Sequence, residues 1–238
     1  MTKPLSTLIP RIDNRLAAWD GIRQHLASQP QVVVRPTVTI SRDFGCEGFG
    51  VAEGVQRLMV QATGEPWNVY DKALLEAVAG EQGISMHTLK NLGDTARSLE
   101  KLGLRPPEYL QHEKAFLAVA EKLVQLATVG NAVIVGRGGV VLCAALPNCF
   151  HFRLDGSLAF RTRSIAKRLD MPIDEAQALV EANTKLRNKF LQEQLRVDPA
   201  DRTLFHATFD NERASCDAIA SAIAAYVQAI WKERSASR

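Results

Sequence analysis

The stretch TVTISRDFGCEGFGVAEGV, residues 37–55, constrains the fold more than any other feature of the chain. A β-branched apolar run passes into three glycines within six positions, Gly45, Gly48 and Gly50, and then into a helical pattern. That order is a strand, a tight turn and a helix. Pro36 cannot donate to a ladder, so the strand is expected over residues 37–41 rather than from QVVV onward. Glycines at such a turn let backbone N–H groups approach an anion at the helix N-terminus, where the dipole favours negative charge. The spacing is GxxGxG, so it is not the GxGxxG dinucleotide fingerprint. It is not GxxxxGK[ST] either, because Gly48 or Phe49 stands where the lysine belongs and Gly50 where the hydroxyl belongs. On spacing alone, a phosphate loop and a ligand-free glycine turn are equal alternatives. Arg42 and Lys72 are the nearest cations that could replace the lysine, and Cys46 is either a thiol activated at a helix N-terminus or a small residue in place of serine. Glu47 opposes a phosphate unless its carboxylate turns away.

Further strand candidates follow at WNVYD, NAVIVGRGG, NCFHFRLD and RTLFHATFD, separated by helical patterns. Several are continuous apolar runs. Strands buried on both faces and alternating with helices predict an α/β, three-layer architecture around a parallel sheet. Ligands of such sheets bind at the carboxyl ends of the strands. Three glycine or charge clusters fall there: residues 42–50, Asp71, and residues 136–139 with Arg137.

The intervening helices include an amphipathic one within residues 1–30, on Leu8, Ile12, Leu16, Trp19 and Ile22. Residues 85–129 read as helical with a break at GLRPPEY, and no internal repeat or flexible linker divides the chain. The helix SLAFRTRSIAKRLD carries Arg161, Arg163, Lys167 and Arg168 opposite an apolar side of Leu158, Ile165 and Leu169. Taken alone, it is a solvated basic face or an anion-gripping one. Arg137 likewise either forks onto a phosphate or base, or caps the strand end with an ion pair.

Composition narrows the function classes. The 238 residues are 46% hydrophobic with a net charge of only +3, which gives no argument for nucleic-acid or membrane partners. No apolar run approaches the roughly 18 residues of a membrane span, and the start lacks a signal-peptide pattern. Four cysteines without a CxxC pair fit a reduced, cytoplasmic setting. The five histidines show no HExxH pairing, so no metal ligands are assigned, and no GxSxG supports acyl-transfer hydrolysis.

Together, TVTISRDFGCEGFGVAEGV, VYDKALLEAVAGEQGIS, NAVIVGRGGVVL and FRLDGSLAFRTRSIAKRL resemble the cytidylate kinase-like family, a branch of the P-loop nucleoside monophosphate kinases. The likeness runs from about residue 37 to about residue 225, and the order and spacing of the four motifs carry it. It implies a three-layer P-loop kinase core over residues 31–238, with a helical insert at about 84–128 for the monophosphate and a lid region at about 155–198. It implies ATP and Mg²⁺ as cofactors and nucleotide small molecules as partners, with the oligomeric state open.

Residue by residue, Ser41, Arg42, Gly45 and Gly48 match the family's first loop, which often lacks the lysine, and Cys46 and Gly50 lie within it. Tyr70 and Asp71 match its tyrosine–aspartate pair on the monophosphate side; Asp71 is the carboxylate for magnesium or acceptor orientation. Gly136, Arg137 and Gly138 match the motif whose arginine contacts the acceptor. Arg161 and Arg163 fall where the lid arginines begin, with Arg187 on the next helix. The departures are Glu47 for a glycine, Phe49 for the loop arginine, no aspartate before the lid arginine in NTKLRNKF, and a last strand carrying His206 and Ala207 where the family ends on asparagine–threonine. The implied activity is ATP-dependent phosphoryl transfer to a nucleoside monophosphate, cytidylate first. The alternatives are a non-catalytic nucleotide-binding or regulatory protein, and a kinase for a non-nucleotide small molecule.

Overall fold

The computed structural model describes residues 34–71, 119–120, 122–136 and 138–236. The expected amino-terminal helix, most of the helical insert, Lys72 and Arg137 lie outside them. Five strands form one sheet: β1 (Thr37–Arg42), β2 (Asn68–Tyr70), β3 (Ala132–Val135), β4 (Cys149–Asp155) and β5 (Ala207–Asp210). Their order is β2-β3-β1-β4-β5 and every pairing is parallel. The helices are α1 (Gly48–Thr63), α2 (Gly139–Leu142), α3 (Leu158–Leu169), α4 (Ile173–Gln194) and α5 (Cys216–Ala236), with helical backbone also at residues 122–129.

β1 lies between β3 and β4, with Ile40 opposite Val135 on one side and Phe152 on the other. A central strand is covered on both faces, so TVTIS is buried throughout. Its side chains alternate between layers. Val38 and Ile40 join Val133, Val135, Phe150, Phe152 and Leu154 beneath α1 and α5. Residues one step out of phase, Ala132, Ile134 and Cys149, pack against Leu123, Leu126 and Ala127 on the other face. Thr37 is tolerated in that second layer because its hydroxyl donates to Ala127 O at 3.0 Å. Each large apolar side chain removed from water here contributes about 1.5–3 kcal/mol. Gly54 lets α1 and α5 approach, since a Cβ there would stand 2.7 Å from that of Ala220.

α3 starts on Ser157, whose hydroxyl accepts from the Phe160 N–H at 3.1 Å. Its apolar side is corrected in one respect. Ile165 and Leu169 are buried against Ala176 and Val180 of α4, whereas Leu158 is exposed, because that contact spans only the carboxyl half of α3. The last strand is corrected too. Ladder pairing covers residues 207–210, so its carboxyl end is Asp210 followed by Asn211, not His206 and Ala207. His206 precedes the strand and exchanges bonds with His151: its N–H donates to His151 O at 2.7 Å and its Nδ1 accepts from His151 N–H at 2.9 Å.

Candidate functional site

The carboxyl ends of β1, β3, β4 and β5 converge on one edge of the sheet. The loop after β1 continues the ladder for one residue, with the Asp43 N–H donating to Leu154 O at 3.1 Å, and then turns at Gly45. Gly45 has φ of 102°, a left-handed value that favours glycine, and a Cβ there would lie 2.6 Å from the Arg161 Cβ. The loop is thus pressed against the first turn of α3. Its far end is tied to β5 by the Glu47 N–H, which donates to Asn211 Oδ1 at 2.7 Å. α1 then begins, with no acidic residue in its first turn. The first amides of a helix have no intrahelical acceptor, so this turn offers N–H groups to an anion.

Three features of the loop answer questions the sequence raises. The Glu47 carboxylate turns toward α5, where Oε2 accepts from the Cys216 thiol at 3.2 Å. Burial pushes the Cys46 thiol up to about 12, with Asp43 adding to the shift. It is protonated at neutral pH, which favours a small packing residue over a nucleophile. Gly50 faces α5 rather than the loop, since a Cβ there would lie 3.4 Å from Cys216 Sγ.

Among the described residues, Arg42 is a cation that lies against the loop glycines. Its Cδ lies 2.8 Å from where a Gly48 Cβ would stand, and a Cβ on Gly136 would overlap its Nη1. The guanidinium therefore lies between the glycine loop and the turn after β3. That turn needs two left-handed residues, Gly136 at φ 77° and Gly138 at φ 69°. Gly138 also packs so closely on Leu195 that a Cβ would collide with its Cδ1. Ser41, Tyr70 and Asp71 are all buried at the strand ends, and burial raises the Tyr70 phenol above its ordinary range.

The arginines of the two following helices go to different places. Arg161 donates through Nε to Gly156 O at 3.0 Å and through Nη1 to Phe44 O at 3.3 Å and Thr184 Oγ1 at 3.2 Å. Arg163, two residues on, faces another direction and forms an exposed pair with Glu212 at 3.2 Å. Arg187 comes within 3.9 Å of Asp43 Oδ1. Burial, then the neighbouring Arg153, lowers the Arg187 guanidinium to about 10.

The residue that sequence reasoning passed over is Arg153. On β4 the face of Phe150, Phe152 and Leu154 is apolar, while the opposite face carries His151, Arg153 and Asp155. Arg153 is 7% exposed in the sheet. It binds Asp155 Oδ1 through Nε at 2.6 Å, Asp43 Oδ1 through Nη2 at 2.9 Å and Pro199 O through Nη1 at 3.1 Å. Asp155 also pairs with Arg202. An arginine within a largely apolar strand run, near its carboxyl end, was the available signal.

Next to this network a cavity of about 840 Å³ opens between Asp43, Asp155, Ser157, Arg202, Thr208 and Asp210. The features that suit a phosphate lie in the glycine loop and not in the lining of this cavity: a first helical turn without carboxylates, Arg42 laid across the glycines, and the Glu47 carboxylate turned away. Among the described residues no group of three or more His, Cys, Asp or Glu side chains could hold a metal ion. No helix among the described residues is long and apolar enough to cross a membrane.

The profile of the cytidylate kinase-like family matches residues 37–213. The chain is similar in fold to the crystal structure of an uncharacterized protein from Eubacterium ventriosum ATCC 27560, at 17% identity and a TM-score of 0.60, over 82% of this chain and 99% of that one. TT1252 from Thermus thermophilus, at 16% identity, covers 82% and 97% with a TM-score of 0.41. No curated protein matches the chain.

Proposed function

The chain belongs to the cytidylate kinase-like family, and from that premise we propose that it transfers a phosphoryl group from ATP to a nucleoside monophosphate, cytidylate being the first acceptor to test. The observation that carries this reading is the Arg42 guanidinium between Gly48 of the loop and Gly136 of the GRG turn. One cation adjoins both the donor-phosphate turn and the turn after β3.

Phosphoryl transfer asks a protein chiefly for position and charge. The loop and first amides of α1, residues 45–50, hold the donor phosphates. Arg42 supplies the charge of the missing lysine at the transferring group, where charge fixed in advance is worth most. Magnesium, bound with the nucleotide, neutralises phosphate charge. Arg137 grips the acceptor, Tyr70 and Asp71 orient it, and Arg187 adds a cation beside Asp43. Arg161, which lies against the loop at Phe44, closes over the transferring group with the lid, about residues 155–198, while the helical insert at about 84–128 covers the acceptor and excludes water. Arg163 faces away toward Glu212 and is left out of that role. The cavity beside β4 and β5 has the size of a small-molecule site and would take the rest of the donor.

One observation favours a non-catalytic nucleotide-binding protein instead. Arg161 donates to Phe44 O, Gly156 O and Thr184 and serves there as a brace of the loop. ADP release from Mg·ATP across a panel of nucleoside monophosphates, run beside thermal-shift binding, separates the readings. Release that depends on a monophosphate supports the kinase. Ligand-induced stabilisation without release supports the binding protein.

A further inference from the structure

Two arginines meet one carboxylate oxygen. Asp43 Oδ1 accepts from Arg153 Nη2 at 2.9 Å and stands 3.9 Å from Arg187 Nη1. The inequality follows from β-sheet geometry. Arg153 and Asp155 sit two residues apart on β4 and so share a face, and Asp43 extends the neighbouring strand on that face. The fork of Arg153 spans both acids and is locked by Pro199 O, with the Phe205 ring 5.8 Å from its Cζ. A guanidinium with this many acceptors holds its carboxylates in one geometry.

Arg187 is in the opposite position. Its hydrogen bond to Asn188 Oδ1 is long at 3.4 Å, and its side chain is 21% exposed. Burial and the neighbouring charges of Arg153 and Arg42 oppose its own charge, and Asp43 and Asp155 offset this only in part. A crowded, partly desolvated cation of this kind gains most from an added anion. Were Asp43 released, it would be that anion, and the site would be neutralised from within.

We infer that Arg153 is a positioning residue: it holds the Asp43 carboxylate in the sheet, at 3.9 Å from Arg187 and short of a hydrogen bond to it, so that the donors of Arg187 are left to an incoming phosphate. This inference rests on the phosphate-site reading above. Asp155 does not confuse it, because it has Arg202 as a second partner.

The test uses inorganic tripolyphosphate, which has phosphates and no base, titrated without divalent cations against wild type, Arg153→Met, Asp43→Asn and the double variant. Arg153→Met should bind about tenfold more weakly, the size of one charge-assisted contact. Adding Asp43→Asn to it should return affinity to within about threefold of wild type, while the melting temperature stays as low as in Arg153→Met. A merely structural role predicts no such rescue. Asp43→Asn alone should bind at least as tightly as wild type. If Arg153→Met does not fold, Arg153→Lys, which keeps the charge and loses the fork, replaces it in the same cycle. The inference is overturned if the double variant binds no better than the single one, if Arg153→Met binds like wild type, if Asp43→Asn alone binds about tenfold more weakly, or if wild type binds no tripolyphosphate. Tripolyphosphate binding and rescue without transfer from ATP would remove the kinase reading and leave the inference intact.

Discussion

The guanidinium of Arg42 occupies the space that a side chain at Gly136 would need, so the last residue of β1 and the first residue after β3 are packed as a pair. Gly136 also has φ of 77°. Gly136→Ala therefore faces strain and a collision at once, and the group that yields is the flexible arginine. We expect a stability loss of about 1–3 kcal/mol and a loss of ATP affinity comparable to that of Arg42→Ala. Calorimetric titration of ATP against both variants checks this; normal ATP affinity in Gly136→Ala would separate the pair.

Gly45 should be intolerant for a different reason. Its φ is 102°, and a Cβ would meet the backbone of Arg161 at 2.9 Å. Backbone cannot move aside as a side chain can. Gly45→Ala should cost roughly 2 kcal/mol or more in chemical denaturation, more than an ordinary glycine-to-alanine change at a left-handed position. A variant as stable as wild type would show that α3 shifts away from the loop freely.

His151 gives the protein a pH dependence unrelated to the site. Burial, then the neighbouring His206, lowers it to about 4, and its Nδ1 lies 2.7 Å from Thr39 Oγ1. The unfolded chain binds this proton near the ordinary value of about 6.5, whereas the folded one does not. Stability is then complete above about 6.5 and falls as pH drops toward 4, by roughly 2–3 kcal/mol at most. His206, also lowered by burial, acts in the same direction. Denaturation midpoints between pH 4 and 7 should show this slope, and His151→Asn should flatten it. An unchanged slope in the variant would assign the effect elsewhere.

Much of this arrangement was legible in the residues. Pro36 set the start of β1, the unbroken apolar runs gave a buried parallel sheet, and Ser157 marked the entry to α3. Register was not legible at β5, because ATFD reads as strand at either end and only pairing with Phe152–Asp155 decides where it stops. Long-range ion pairs were not legible either. Asp43 and Arg153 are 110 residues apart, and nothing local to SRDFG says that its aspartate belongs to another strand. The direction of Glu47 depended on Cys216 in the last helix, again a tertiary fact.

Arg137 should govern the acceptor and not the donor, because in sequence it follows an inner strand of the sheet, and ligands of parallel sheets bind beyond the carboxyl ends of their strands. Arg137→Ala should weaken monophosphate binding by roughly 1.5–3 kcal/mol, the range for a hydrogen bond to a charged group, with ATP binding little changed. An equal fall in ATP affinity would contradict the assignment.

The most direct test of the central claim follows label from γ-labelled Mg·ATP into a panel of nucleoside monophosphates that includes CMP, with wild type and Arg42→Ala side by side. The kinase reading predicts labelled diphosphate with wild type and a loss of about a hundredfold or more in Arg42→Ala, whose melting temperature stays near that of wild type. Wild type that binds ATP yet labels no monophosphate, or an Arg42→Ala variant that transfers as well as wild type, would contradict it.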